Sequence, residues 1–257
     1  MPKYGYLVVE GPHDIEFVAR LLSRWDFRRV RNEPELDRFW EDLIPRTYPP
    51  SGDLLKRVPV PLFLKNDSHS LAVHTDIGDT RIAQTVEENA ALIDLGHLTG
   101  VGVILDSDSE HTPPQRYTSV RSELAARGFQ LPEDAGTLAD GRPRFGAFVL
   151  PDNASRGTLE DLLLECASVV YPHLLFSAQT HVKTADGDTT LQPADRDDFD
   201  KPAGHNKAIV GSMASVLRPG KAVQVSIQDN RWLRDETLNR PRIRAVQDFL
   251  ASLWELP

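Results

Sequence analysis

Leu7-Val8-Val9-Glu10-Gly11-Pro12-His13-Asp14 is the stretch that gives the fold away. Its apolar part, extended back to Tyr4, is rich in β-branched and aromatic residues and predicts a buried strand. Gly11-Pro12 breaks the strand. From Asp14 onward, Ile15, Val18, Leu21, Leu22 and Trp25 recur at helical spacing, and Asp14 suits a helix start. The unit is a strand, a turn and a helix, with acids at the turn.

The same design recurs further along. Val101-Gly102-Val103-Ile104-Leu105 is a continuous apolar strand, typical of a parallel sheet interior, and it runs into Asp106-Ser107-Asp108-Ser109-Glu110. Phe145 to Leu150 is a third buried strand, leading into Pro151-Asp152-Asn153 and then Gly157-Thr158-Leu159-Glu160-Asp161. Helices are predicted over Thr80–Leu95, Gln115–Arg127 with Gly128 as its stop, Thr158–Tyr171, 205–217 and 241–254. Val58–Leu64 and Leu71–Thr75 read as two strands of a hairpin around Asn66-Asp67-Ser68-His69, and Val223–Ile227 as a short strand. Strands alternating with helices predict an α/β fold, with a mostly parallel sheet flanked by helices and an inserted hairpin. One domain over residues 1–257 is expected. It carries an insertion over about 31–75, a mobile acidic loop over about 183–204 and a helical part over about 205–257.

Length and composition agree with this. The 257 residues can bury a sizeable core, and 40% apolar with 26% charged residues describes an ordinary globular chain. No stretch approaches a membrane span and no signal peptide is evident, so a cytoplasmic protein is expected. The single cysteine, Cys166, excludes an intrachain disulfide framework and a cysteine zinc cluster. A formal charge of −9 argues against a DNA reader with a broad basic face. An enzyme that meets phosphates through metal ions held by carboxylates remains compatible with that charge.

In open α/β sheets the ligand site lies beyond the carboxyl ends of the strands. Parallel neighbouring strands would bring Glu10, Asp106, Asp108 and either Asp152 or Glu160 together there. Such carboxylates repel unless a cation compensates them, and oxygen ligands favour Mg²⁺ or Mn²⁺. Each acid also has a plain structural reading. Asp-x-Asp suits a turn, Asp14 a helix cap, and Thr158-x-x-Asp161 a capping box.

Val9-Glu10-Gly11-x-x-Asp14, followed by a hydrophobic strand into Asp106-x-Asp108, resembles the TOPRIM domain of topoisomerases, bacterial primases, recombination mediators and OLD-family nucleases. With the later Asp152-Asn153 and Gly157–Leu163 segments, the chain resembles small stand-alone TOPRIM proteins related to the OLD nucleases. The resemblance implies a Mg²⁺-dependent nuclease acting on DNA or RNA, with Mn²⁺ able to substitute. It makes Glu10 a metal ligand or general acid/base and Asp14 a supporting catalytic carboxylate. Asp106, Asp108, Asp152 and Glu160 become metal ligands, and Lys207 the downstream catalytic lysine. A partner ATPase acting in trans, in a phage-defence system, is the implied regulator, and self-association is compatible with the pattern. The chain departs from the pattern in having Ser109-Glu110 where a glycine usually follows Asp-x-Asp, and in the long separation of Glu10 from Asp106.

Two rival functions stand beside this reading, and one basic cluster has a plainer explanation. A non-catalytic TOPRIM module would bind nucleic acid or a partner protein. A phosphatase with an Asp nucleophile would use Asp106 and Asp108, without needing Glu10-Gly11-x-x-Asp14. A solvated helix face competes with phosphate binding for Arg20, Arg24, Arg28, Arg29 and Arg31. No P-loop, zinc-protease His pair or Gly-x-Ser-x-Gly elbow is present, so ATP hydrolysis and those hydrolase chemistries are not expected.

Overall fold

The structure, a computed structural model, describes residues 2–47, 52, 54, 60–75, 81–107 and 111–257. Asp108, Val58 and Thr80, which enter the sequence reading above, lie outside the described residues.

A six-stranded sheet carries the fold, in the order β2-β3-β4-β1-β5-β6. Its parallel part comprises β4 (His69–Thr75), β1 (Lys3–Val9), β5 (Leu98–Asp106) and β6 (Arg144–Leu150). β3 (Leu62–Lys65) pairs antiparallel with β4, and the short β2 (Arg28–Arg29) pairs antiparallel with β3. The sheet is therefore mixed, with its antiparallel strands on one side. Asn66 builds the β3–β4 turn by accepting the backbone N–H groups of Ser68 and His69, the local bonding that favours Asn in turns.

Alternation along the strands supplies two cores. Leu7, Val9, Val73, Ile104, Phe148 and Leu150 face one way, toward a core shared with α1 (Pro12–Leu22), α4 (Leu159–Val170), α7 (Gly204–Leu217) and α10 (Pro241–Trp254). Tyr6, Val8, Val103, Leu105 and Val149 face the other, toward α2 (Ile82–Ala90), α3 (Pro113–Ala125) and Trp40. Sheet glycines let α10 come close. A Cβ at Gly100 or Gly102 would collide with Leu253, and one at Gly5 with Trp254.

This layering creates the site. β1 is followed by α1 on one face, whereas its parallel neighbour β5 is followed by α3 on the opposite face. Connections that leave adjacent parallel strands on opposite faces open a crevice at the strands' carboxyl ends. Val9 lies opposite Ile104 in register, so Glu10 and Asp106 emerge at that crevice together.

Several expectations change. Val223–Ile227, expected to be a strand, is the start of α8 (Val223–Asp229), which packs on α1 with Ser226 and Ile227 fully buried. Its Val-x-Val-x-Ile pattern has strand period, but tertiary burial decides short apolar runs. The segment expected as an acidic loop over 183–204 is partly helical. α5 (Pro172–Asp186) runs into it, and α6 (Pro193–Arg196) follows. Arg196 there pairs with Asp186 at 3.2 Å and Asp200 at 3.0 Å. The helix expected from Asp14 to Trp25 ends at Leu22 and tightens into a 3₁₀ turn over Ser23–Trp25. Among the described residues no helix is long and apolar enough to cross a membrane.

Candidate functional site

Three local devices aim the acids into the crevice. At the start of α1, Asp14 Oδ2 accepts the Gly11 N–H at 2.9 Å. Asp14 is thus not the cap residue itself; it sits one turn in and is buried. At the end of β5, Asp106 Oδ1 accepts the N–H of Leu159, the first residue of α4, at 3.0 Å. Next to it, Ser107 Oγ donates to the Gly157 carbonyl at 3.0 Å and accepts the Gly157 N–H at 2.7 Å, stitching the two segments together. At the start of α4, Asp161 Oδ2 accepts the Thr158 N–H at 2.7 Å, the capping pattern its sequence suggested. Thr158 Oγ1 donates to Glu160 Oε2 at 2.8 Å, holding that buried carboxylate in place.

Lys207 arrives from the first turn of α7. Its neighbour Asn206 donates to Asp161 Oδ1 at 2.9 Å, tying the starts of α7 and α4 together. One pocket of about 250 Å³ results, lined by Glu10, His13, Asp14, Asp106, Glu160 and Lys207, with Val210 and Val223 among its apolar residues.

The electrostatics are those of carboxylates crowded out of water. Burial, then the charges of Glu10 and Glu160, raise the Asp14 pKa to about 7. Burial, then Asp14, Glu10 and Glu160, push Asp106 well above the usual carboxylate range. Glu160 moves the other way. Burial opposes its ionisation, but the His13 imidazole, the Thr158 hydroxyl and the Lys207 charge together hold its pKa down. His13 Nδ1 stands 3.9 Å from Glu160 Oε1, beyond normal hydrogen-bond length. Glu10 is held by Arg116, whose Nη2 lies 2.7 Å from Oε1.

The pocket's acids offer only oxygen donors and outnumber the cations beside them, the donor chemistry that hard divalent cations take. Among the described residues, no group of three or more His, Cys, Asp and Glu is placed so that it could hold a metal ion.

The pocket brings together Glu10, Asp14, Asp106, Glu160 and Lys207, and Asp108 lies outside the described residues. Asp152 is placed elsewhere. Its carboxylate accepts the Ala154 and Ser155 N–H groups and the Ser155 hydroxyl, and pairs with Arg242 Nε at 2.9 Å. It closes the turn after β6 and joins that turn to α10, so its lone pairs serve structure. Three of the five arginines in and after α1 likewise find protein partners: Arg20 the Leu233 carbonyl, Arg24 the Gln247 side chain and Arg29 Glu16. Two pocket-side residues escape the sequence reading. His13 lies inside the quoted motif and its place on the first turn of α1 was a usable signal; Arg116 had none.

Family comparison adds a further observation: a family described as a protein of unknown function, DUF3226, has a model that matches residues 4–255. The chain belongs to that family. The match spans this DUF3226 chain from β1 through α10 and so contains every pocket residue. No curated protein matches it significantly. Among solved structures it is similar to the crystal structure of the hypothetical protein PH0156 from Pyrococcus horikoshii OT3. There the identity is 15% and the TM-score 0.49, over 98% of this chain and 95% of that one.

Proposed function

We propose that this protein is a divalent-cation-dependent nuclease of TOPRIM type, hydrolysing DNA or RNA phosphodiester bonds at the carboxylate pocket. The single observation that carries the reading is the convergence of Glu10, Asp14, Asp106 and Glu160 with Lys207 at the carboxyl ends of β1 and β5. Glu10, Asp106 and Glu160 would hold the cation, and the resemblance alone adds Asp108. When bound, that cation supplies Lewis-acid charge and a water of lowered pKa.

The chain's own residues have distinct tasks in this reading. Water adds to phosphorus, one phosphorus–oxygen bond breaks, and the leaving oxygen takes a proton. Lys207, exposed at the rim, lies where a cation can offset the negative charge that builds on the phosphoryl oxygens. Asp14, buried in the same pocket as Glu10, keeps the start of α1 in position through Gly11 and can hold or release a proton near neutral pH. Thr158 orients Glu160. Control by an ATPase partner in a defence system belongs to the same proposal and rests on the resemblance alone.

The test is cleavage of plasmid, linear and single-stranded DNA and of RNA with Mg²⁺, Mn²⁺ or EDTA, beside Asp106→Ala. Cation-dependent cutting that disappears in the variant is the expected result. Equal cutting by the folded variant would overturn the site.

A second reading, a TOPRIM module that binds nucleic acid or a partner without cutting, draws on the Arg116–Glu10 pair, which already neutralises one acid. It predicts binding of a nucleic acid with no product under any cation.

A further inference from the structure

Arg116 comes to the crevice from α3, outside every motif that suggested the site. Its Nη2 lies 2.7 Å from Glu10 Oε1, and the two side chains are only 18% and 17% exposed. A charge-assisted bond of that length between partly desolvated groups is a strong one. It is also placed economically in the chain, since the connection that leaves β5 at Asp106 leads directly into α3. Asp106 and Arg116 thus reach the same crevice from one connection.

Glu10 is one of the acids whose charge raises both Asp14 and Asp106. A guanidinium on Glu10 therefore lowers the negative charge that the whole cluster presents. A divalent cation seeking Glu10 meets an oxygen already engaged by a cation of the protein. The two compete for one anion, and binding of either weakens the other.

We propose that Arg116 is the resident counter-charge of the carboxylate pocket, a positioning residue that holds Glu10 in the cation-free protein and must yield Glu10 when a divalent cation binds. The inference rests on the cation-site reading above and adds to it a competitor inside the chain. Its consequence is opposite to that of a ligand-supporting residue: loss of Arg116 should tighten cation binding.

The test is calorimetric titration of MnCl₂ into the full-length, cation-free protein, comparing wild type with Arg116→Gln, Arg116→Lys and Glu10→Gln/Arg116→Gln against Glu10→Gln. Removing one nearby positive charge should tighten Mn²⁺ binding by about fivefold to tenfold in Arg116→Gln. Arg116→Lys, which keeps the charge, should stay close to wild type. The gain should vanish when Glu10→Gln is the background, because the contested anion is gone. Arg116→Met, which keeps an apolar stem of similar length, replaces the glutamine variant if that one does not fold. Unchanged or weaker Mn²⁺ binding in a folded Arg116→Gln protein, with wild type binding Mn²⁺, overturns the role of Arg116 and leaves the cation site standing. Binding by Arg116→Gln but not by wild type supports the proposal in its strongest form. Binding by neither protein overturns the cation site, and the inference falls with it.

Discussion

Two acid-rich regions of this molecule use the same residue types to opposite ends. In the crevice, Asp14 and Glu160 are buried and Asp106 is half-buried, and Asp14 and Asp106 are pushed toward protonation by desolvation and by the charges of Glu10 and Glu160. Over 186–200, the aspartates lie in water and are answered locally. Arg196 pairs with Asp186 and Asp200, Lys201 with Asp198, and Asp188 accepts from Thr190. A run of acids in the chain is therefore a weak guide to function. What separates the two regions is whether the fold removes the acids from water without supplying enough counter-charge, the pattern expected of sites that perform chemistry.

The sharpest way to break the comparison is to remove one charge from each region. Asp106→Asn keeps an acceptor for the Leu159 N–H and should reduce cleavage by about a hundredfold to a thousandfold or more. Asp200→Asn should leave the cleavage rate unchanged. Equal effects in a steady-state nuclease assay would show the contrast to be functionally empty. Next in size, Lys207→Ala should lower kcat by about tenfold to a hundredfold with little change in thermal midpoint, because Lys207 is exposed and in the proposed reading contributes only its charge.

Stability should also differ between the regions. Asp14 holds its proton up to about pH 7 in the folded protein but loses it near pH 4 when unfolded. The folded state then binds more protons across that window, so stability falls as pH rises from about 4 to 7. Asp106, raised for the same reasons, adds to the fall. Asp14→Asn should therefore raise the urea midpoint at pH 7.5 in cation-free buffer and flatten its pH dependence. An unchanged slope between pH 5 and pH 7.5 would contradict the repulsion. Smallest of all, Arg196→Ala should cost no more than about 1 kcal/mol in thermal unfolding, since its partners are exposed and screened.

Much of the architecture is legible in the chain, for local reasons. β1, β5 and β6 each contain an apolar run, over 7–9, 101–105 and 147–150, that is followed by acids or a turn. Capping at Thr158 and the turn at Asn66 are short-range hydrogen bonds, readable from spacing alone. The misreadings share one cause. α8 has a strand-like alternation but packs on α1, and α5 begins at Pro172 with only Tyr171 between it and α4. The polar stretch beyond it hides that α5 continues to Asp186.

For the candidate site, the chain marks Glu10, Asp14, Asp106 and Glu160 because each stands at the end of a strand or the start of a helix, where acids have local reasons to be noticed. Asp152 carries the same mark and is spent on a turn and on Arg242. Arg116 carries none and reaches Glu10 across 106 positions of sequence. Spacing in sequence reports which side chains share one strand end or one helix turn, because those relations are set by backbone periods. Which acids face one another out of water, and which cation answers them, depends on the faces taken by α1 and α3. That choice belongs to the packed sheet, where desolvation and Coulomb forces act between residues far apart in the chain.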